Sequence, residues 1–258
     1  MDILIAGKGF IGTAIGDRLS GEHQVKYLDR ISGNFQQDIT QSFEIDEQFD
    51  VLIHTVGLAP GFASKKQYEE VHVDGTGNLI DAVDCDKIIY LSALGVGEVD
   101  HSFFKTKNKA EELVQGSGRD YTIIRPSTVY GEGNKLLDII RKLAPTRLFP
   151  NLETRTQPIK LEDLTQLVSE TVEAYDGKVL NAAGPETYSL SEMAKRIYSQ
   201  EGYSCILVPA PEFMIKLKLL GLSFLGSPFQ PENIEIVRSS NTTEENDAAD
   251  ILQLSNLF

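Results

Sequence analysis

The chain has 258 residues, with 24 Lys+Arg against 38 Asp+Glu, a formal net charge of −14 and a pI near 4.7. Such a surface repels polyphosphate and no basic cluster compensates, which excludes nucleic acid and an anionic membrane surface as partners. With 41% hydrophobic residues, 12 Phe and 9 Tyr, the chain can build a real core and is not a disordered segment.

The length allows one large domain, or one domain with a small second lobe. Apolar runs and helical patterns alternate through the first half. Asp2–Ala6 reads as a buried strand, Ile11–Leu19 as the opening of a helix, and Gln24–Leu28 and Val51–Val56 as further strands. Tyr68–Val83 has helical periodicity, with Val71, Leu79, Ile80 and Val83 on one face. Lys87–Leu91 is again a strand, Lys105–Gln115 a helix and Tyr121–Ile124 a strand. This succession predicts an α/β chain, a doubly wound parallel sheet built of βαβ units and buried on both faces.

The second half is less regular. Leu136–Leu143, Leu161–Ala174 and Ser191–Glu201 read as helices, the last capped by Ser189 or Ser191, and Lys178–Ala182 as a strand. A soft boundary falls near residues 145–160. It divides a dinucleotide-binding domain over 1–155, to which later strands return, from a small α/β lobe over 156–258. Pro211–Gly226 is nearly apolar all round, which suits a core helix better than an interface helix. The polar stretch Ser239–Asp247 reads as a mobile tail, with Ile251, Leu252 and Leu254 able to dock its end.

Cys85 and Cys205 stand far apart and in no metal-like spacing. Neither a disulfide framework nor a metal site is expected, and a reducing cytoplasm suits them. Met1–Ile5 runs straight into a β-like segment with no basic region before it, so no signal peptide is read there. The longest charge-free stretch, Leu219–Pro231, is too short and too rich in Gly and Pro to span a membrane.

The strand Ile3–Ala6 runs into Gly7-Lys8-Gly9-Phe10-Ile11-Gly12 and then a helix, a Gly-x-Gly-x-x-Gly in the right context. Gly7 permits the tight turn, Gly9 lets the backbone approach a pyrophosphate, and Gly12 lets the helix pack closely on the strand. The helix N-terminus, with Phe10 and Ile11, offers unpaired N–H groups to the phosphates. The second strand ends in Asp29-Arg30. A carboxylate there accepts hydrogen bonds from ribose hydroxyls, which favours NAD, whereas a neighbouring Arg can pair with the 2′-phosphate of NADP. Both residues are present, and Asp29 tips the expectation towards NAD.

Further stretches carry a family likeness: Val51–Gly57, Val73–Leu79, Ile89–Ala93, Ile124–Gly131 and Gln157–Leu164, together with Gly7–Gly12. They occur in family order over about two thirds of the chain, and the sequence resembles the extended and atypical short-chain dehydrogenase/reductase family of nucleotide-sugar epimerases and dehydratases. Asn181–Glu186 followed by Tyr188-Ser189-Leu190 is most similar to the subgroup that includes the nucleotide-binding accessory subunit of mitochondrial complex I. The resemblance implies a Rossmann-type sheet with a small substrate lobe. It also implies adenine contacts at Asp38 and Ile39, a cofactor wall at Thr55, Val56 and Gly57, and Pro126 beside the nicotinamide. His54 reads as a packed strand-end histidine.

The family's chemistry uses Tyr-x-x-x-Lys with a Ser or Thr, in which the Tyr passes the substrate proton and the Lys lowers its pKa and holds the nicotinamide ribose. Aligned on a Lys followed four residues later by Glu, Lys107 and Glu111 fit, and the Tyr position holds Phe103. Leu94 stands where many members keep the catalytic hydroxyl. Ser92 and Lys107 remain as catalytic candidates, Ser92 reading better as a strand-end hydrogen-bonding group and Lys107 as a cofactor ligand. The expected function is therefore an NAD(P)(H)-binding protein with weak or no redox turnover and a binding, assembly or sensing role. The alternative is an active epimerase or oxidoreductase that takes its proton from Tyr130, His101, Ser102 or water. A homodimer or a protein-complex partner fits either reading.

Overall fold

In the computed structural model, which describes residues 1–209 and 233–258, the alternating pattern becomes a seven-stranded sheet in which every pairing is parallel. Its strands are β1 (Asp2–Ala6), β2 (Gln24–Asp29), β3 (Phe35–Gln36), β4 (Gln48–His54), β5 (Asp84–Leu91), β6 (Asp120–Pro126) and, from the second half, β11 (Lys178–Ala182), in the order β11-β6-β5-β4-β1-β2-β3. The order reverses between β1 and β4, which makes their carboxyl ends the topological switch point.

Side-chain alternation sorts the strands into two cores. Ile3, Ile5, Val51, Ile53, Ile89 and Leu91 face α1 (Phe10–Leu19) and α6 (Leu161–Thr171), while Leu4, Leu52, Ile88, Tyr90 and Ile123 face α3 (Gly75–Ala82) and α4 (Ser102–Gln115). The helix over residues 65–82 is less regular than its periodicity predicts. It opens at α2 (Lys65–Tyr68) on a Ser64–Gln67 capping box, passes through a π-turn at Glu69–Asp74 and continues as α3. The wider turn carries His72 inwards, so this helix presents a buried polar group as well as its apolar stripe.

A third hydrophobic cluster lies beyond the two cores of the sheet, and it draws on residues from both sides of the expected 145–160 boundary. Helices α5 (Lys135–Leu143) and α7 (Leu190–Gln200) pack over β8 (Leu148–Pro150), which pairs with β13 (Ile206–Val208). Ser189, one of the two expected caps, accepts the Glu192 N–H in a capping box. Among the described residues, four further short strands lie outside the main sheet: β7 (Val129–Tyr130) pairs with β10 (Ile159–Lys160), and β9 (Arg155–Thr156) with β12 (Tyr188–Ser189). The apolar segment Pro211–Gly226 lies outside the described residues.

The expectation of a loose tail at Ser239–Asp247 needs correction. Thr243 N–H donates to Gln157, Asn246 exchanges bonds with Ala183, and Asp247 accepts the Asn181 N–H at 2.7 Å. Polar residues sit there because they satisfy backbone groups at the strand ends. Ile251, Leu252 and Leu254 dock on the sheet core as expected.

One buried charge ties a helix end to the sheet. Lys87, on β5, sends Nζ to the carbonyl oxygens of Thr171 (2.7 Å) and Ala174 (2.6 Å) beyond the end of α6, and to Asp176 at 2.5 Å. Replacement by Met would leave two carbonyls without their donor. Lys87→Met is expected to lower the unfolding free energy by about 2 kcal/mol, read from the shift of the urea midpoint at unchanged slope.

Candidate functional site

At the end of β1, Gly7 takes φ +101°, a conformation that favours glycine, and its N–H donates to the Leu28 carbonyl at 2.8 Å. A Cβ on Gly12 would stand 1.9 Å from the Gly7 carbonyl oxygen, so the helix can approach the turn only without one. Gly9 is the N-cap of α1; a Cβ on it would meet nothing within 4 Å, and no side chain caps the helix. Thr55 Oγ1 lies 2.9 Å from the Ala6 carbonyl and 3.0 Å from that of Gly7, tying the loop to the end of β4. Phe10 packs against Gly131 and Gly133 beyond β7.

Asp29 sits at the end of β2. Its carboxylate accepts the N–H groups of Lys8 (3.1 Å), Ile31 (2.9 Å) and Ser32 (3.3 Å), so it braces the glycine loop from the side. Burial pushes its pKa up, but these three donors and Arg30 outweigh that and hold the group below the usual carboxylate range. Arg30 is exposed. Asp38 is likewise held low, chiefly by the N–H and hydroxyl of Thr40. Ile39 is buried against Gly75, and its carbonyl accepts Asn78 Nδ2 at 2.7 Å.

Under Gly57 lies a buried polar cluster. Lys107 reaches from α4, donates Nζ to the Leu91 carbonyl at 2.8 Å and stands 4.7 Å above the Tyr90 ring. A Cβ on Gly57 would lie 3.2 Å from Nζ. Burial drives the Lys107 pKa down to about 7 against the upward pull of Glu111. His72 accepts the Leu58 N–H on Nε2 at 3.1 Å, which places its hydrogen on Nδ1, 2.9 Å from Thr106 Oγ1. His54 lies with Nε2 2.9 Å from Thr76 Oγ1, its ring 5.0 Å from that of Tyr90. Burial, then the Lys107 charge, lowers His54 to about 3 and His72 to about 2. His54 is thus a packed strand-end histidine, as expected. His72 was not foreseen, because only the π-turn brings it inwards.

The positions aligned with the catalytic residues are closed by packing. Phe103 is 5% exposed and meets Phe104, His72 and Tyr68 edge-on at centroid distances of 4.9, 5.4 and 5.7 Å; Leu94 is buried as well. Ser92 gives its hydroxyl hydrogen to Glu111, whose carboxylate also takes a two-pronged bond from Arg125 at 2.9 and 2.6 Å. His101 caps α4, accepting the Phe103 N–H on Nδ1 at 3.0 Å, and its Nε2 meets Asn233 Oδ1 at 3.1 Å. Tyr130 lies in the lobe, its hydroxyl 3.3 Å from Gln200 and its ring against Phe258. Ser102 is buried at the start of α4. Pro126 closes β6, facing Ala182 of β11 across the sheet.

Among the described residues no group of three or more His, Cys, Asp and Glu is placed to hold a metal, and no helix is long and apolar enough to cross a membrane.

No family model matches the sequence. It is 25% identical over 174 residues to the 40 kDa subunit of mitochondrial NADH-ubiquinone oxidoreductase from Neurospora crassa, covering 61% of this chain and 44% of that one. It is 26% identical over 180 residues to an N-acetyl-alpha-D-glucosaminyl-diphospho-ditrans,octacis-undecaprenol 4-epimerase from Escherichia coli O157:H7, covering 55% and 53%. A further relative, mitochondrial NADH dehydrogenase [ubiquinone] 1 alpha subcomplex subunit 9 from Rattus norvegicus, is 27% identical over 133 residues, covering 49% and 35%. The chain spans about half the length, or less, of the curated relatives it matches. Among solved structures, a tyrosine-to-phenylalanine mutant of UDP-glucuronic acid 4-epimerase from Bacillus cereus, in complex with a fluorinated UDP-sugar and NAD, superposes with a TM-score of 0.74 at 18% identity over 100% of this chain and 95% of that one. UDP-glucose 4-epimerase from Thermotoga maritima gives 0.69 at 18% identity over 82% and 86%. The resemblance read from the sequence is borne out: relatives and neighbours are proteins of the epimerase/dehydratase type of short-chain dehydrogenase/reductase, with complex I subunits among them, and the Rossmann-type fold is shared.

The buried cluster makes stability depend on pH in two windows. An unfolded chain binds protons on His54 and His72 below about pH 6.5 that the folded chain refuses, so stability falls as pH drops below that value. Lys107 is held near 7 in the fold against 10.5 unfolded, so the unfolded chain binds more protons between these values and stability rises with pH across that window. The difference in unfolding free energy between the native chain and Lys107→Met, measured from pH 7 to 9.5, is expected to shift steadily in favour of the native chain. A flat difference would refute a lysine held near neutrality.

Proposed function

We propose that this chain binds a dinucleotide across the β1/β4 switch point, NAD(H) in preference to NADP(H), with weak or no redox turnover, and serves a binding, assembly or sensing role. The observation that carries the reading is a pairing: an open phosphate cradle at Gly9 beside a packed, apolar Phe103 where the proton-relay tyrosine would stand.

The residues fit such a ligand. The uncapped first turn of α1 presents the N–H groups of Phe10, Ile11 and Gly12 to a pyrophosphate, and Gly9 leaves the approach clear. Asp29, ionised at neutral pH, accepts hydrogen bonds from adenosine ribose hydroxyls and repels a 2′-phosphate, with Arg30 as the exposed cation beside it. Asp38 and Ile39 border the adenine, Thr55, Val56 and Gly57 form the wall after β4, Lys107 serves the nicotinamide ribose, and Pro126 lies beside the ring. When bound, the dinucleotide supplies a nicotinamide able to carry hydride.

Among the described residues, three of the candidate proton donors are engaged elsewhere. His101 has both ring nitrogens committed, Ser92 is spent on Glu111, and Tyr130 sits in the lobe against Phe258. Three curated relatives, each a subunit of a mitochondrial NADH-ubiquinone oxidoreductase or NADH dehydrogenase, support a place in a larger protein assembly. Two free cysteines, one of them buried, suit a reducing compartment such as the cytoplasm.

Titration calorimetry with NAD, NADH, NADP and NADPH is the direct test; binding of none of them would overturn the reading. Asp29→Ala is expected to weaken NADH by about tenfold, roughly one charge-assisted hydrogen bond, and NADPH much less. Turnover of a UDP-sugar at about 1 s⁻¹ or faster would sink the claim of an idle site.

A further inference from the structure

Three loops leave the carboxyl ends of β4, β5 and β6, and one returning segment, residues 233–241, crosses all of them. It is anchored at both ends by asparagines. Asn233, 5% exposed, donates Nδ2 to the Gly61 carbonyl at 3.0 Å in the loop after β4, and its Oδ1 meets His101 Nε2 at 3.1 Å at the head of α4. Because His101 Nδ1 accepts the Phe103 N–H, its hydrogen is on Nε2 and points at Asn233. Asn241 donates Nδ2 to the Leu94 carbonyl at 3.0 Å in the loop after β5, and accepts Ser127 Oγ at 2.5 Å and the Thr128 N–H at 3.1 Å beyond β6. Its own backbone is fixed to Arg155 (2.8 Å) and Gln157 (3.0 Å). Between these anchors Ile236 packs on the aromatic cluster of Phe103.

We propose that this segment is a strap that seals the half of the cleft over β4, β5 and β6, holding the reactive end of a bound dinucleotide away from hydride acceptors while the Gly9 half stays open. Each asparagine spends donor and acceptor on different loops, so each amide holds two loops at a fixed separation. What lies beneath is dry: Ser92, Leu94, Phe103 and Lys107 are all buried. The strap explains why chemistry is idle by exclusion, and not only by the missing tyrosine. The screening of a nicotinamide rests on the dinucleotide reading; the closure of the cleft does not.

Two measurements test it separately. In a Cys205→Ser background, Leu94→Cys is labelled with a maleimide and compared with Lys66→Cys, an exposed control. Cys at 94 is expected to react at least about 100-fold more slowly than at 66, and the added pair Asn233→Ala and Asn241→Ala to speed it by about tenfold or more. Equal rates at 94 and 66 with the strap intact, or no response to the asparagine changes, would overturn the strap. Should the double variant fail to fold, hydrogen exchange of the unaltered chain decides: the Thr128 amide, held by Asn241, is expected to be protected, and exchange at the rate of a free loop would refute the closure. With NADH bound, acrylamide quenching of its fluorescence is expected to be at least about fivefold weaker than for free NADH, and stronger again in the double variant. Full quenching of bound NADH would overturn the screening, whereas absence of NADH binding would sink the dinucleotide reading and leave the labelling result standing.

Discussion

A parallel sheet covered by helices on both faces has nowhere to meet a ligand except at its ends. Every strand of the seven-stranded sheet runs the same way, and both of its faces are filled by Ile, Leu and Val packed to near-zero exposure. The carboxyl edge is therefore where the chain turns, where backbone N–H groups are left over, and where the glycine loop, Asp29, Thr55, Gly57 and Lys107 all collect. What the protein does is decided along that edge, and it is decided differently on its two halves. On the β1–β2 side the backbone stays open beside Gly9 and an ionised carboxylate braces the turn. On the β4–β6 side, aromatic rings pack together and two asparagine amides bridge the loops.

Charge fits the same division. A chain with a net charge of −14 keeps polyanions at a distance, yet the glycine turn and the head of α1 offer an anion backbone N–H groups that need no basic side chain. Lys107 is buried and pulled towards neutrality by its surroundings, with its Nζ over the Tyr90 ring and donating to the Leu91 carbonyl.

Much of this was legible in the amino-acid sequence, for identifiable reasons. Runs such as Ile3–Ala6 and Ile88–Leu91 are apolar on both faces, which only a doubly covered strand needs, and the spacing of Gly7, Gly9 and Gly12 maps directly onto a turn whose close contacts exclude a Cβ. Phe103 stood out because a resemblance supplied the residue it replaces. The two-residue pairings Val129–Tyr130 with Ile159–Lys160 have too little length for any periodicity to show. The inward turn of His72 depends on a π-turn that no stripe of apolar residues announces. Asn233 and Asn241 look like ordinary polar loop residues, since their partners Gly61 and Leu94 lie 172 and 147 residues away. Glu111 served as an alignment mark, while its bonds to Ser92 and Arg125 became visible only in three dimensions.

The packing around Phe103 bears on which residues its position can accept. Its ring lies edge-on to Phe104, His72 and Tyr68 in a region closed to water. A tyrosine placed at this position would carry a hydroxyl into that enclosure, where an unpaired polar group costs about 1–3 kcal/mol. His72 cannot rescue it, because its one ring acceptor is already taken by the Leu58 N–H. A hydroxyl at this position would thus demand coordinated changes in the residues around it. Packing of this kind acts as a lock: the neighbouring rings, and not position 103 alone, decide which side chain can stand there.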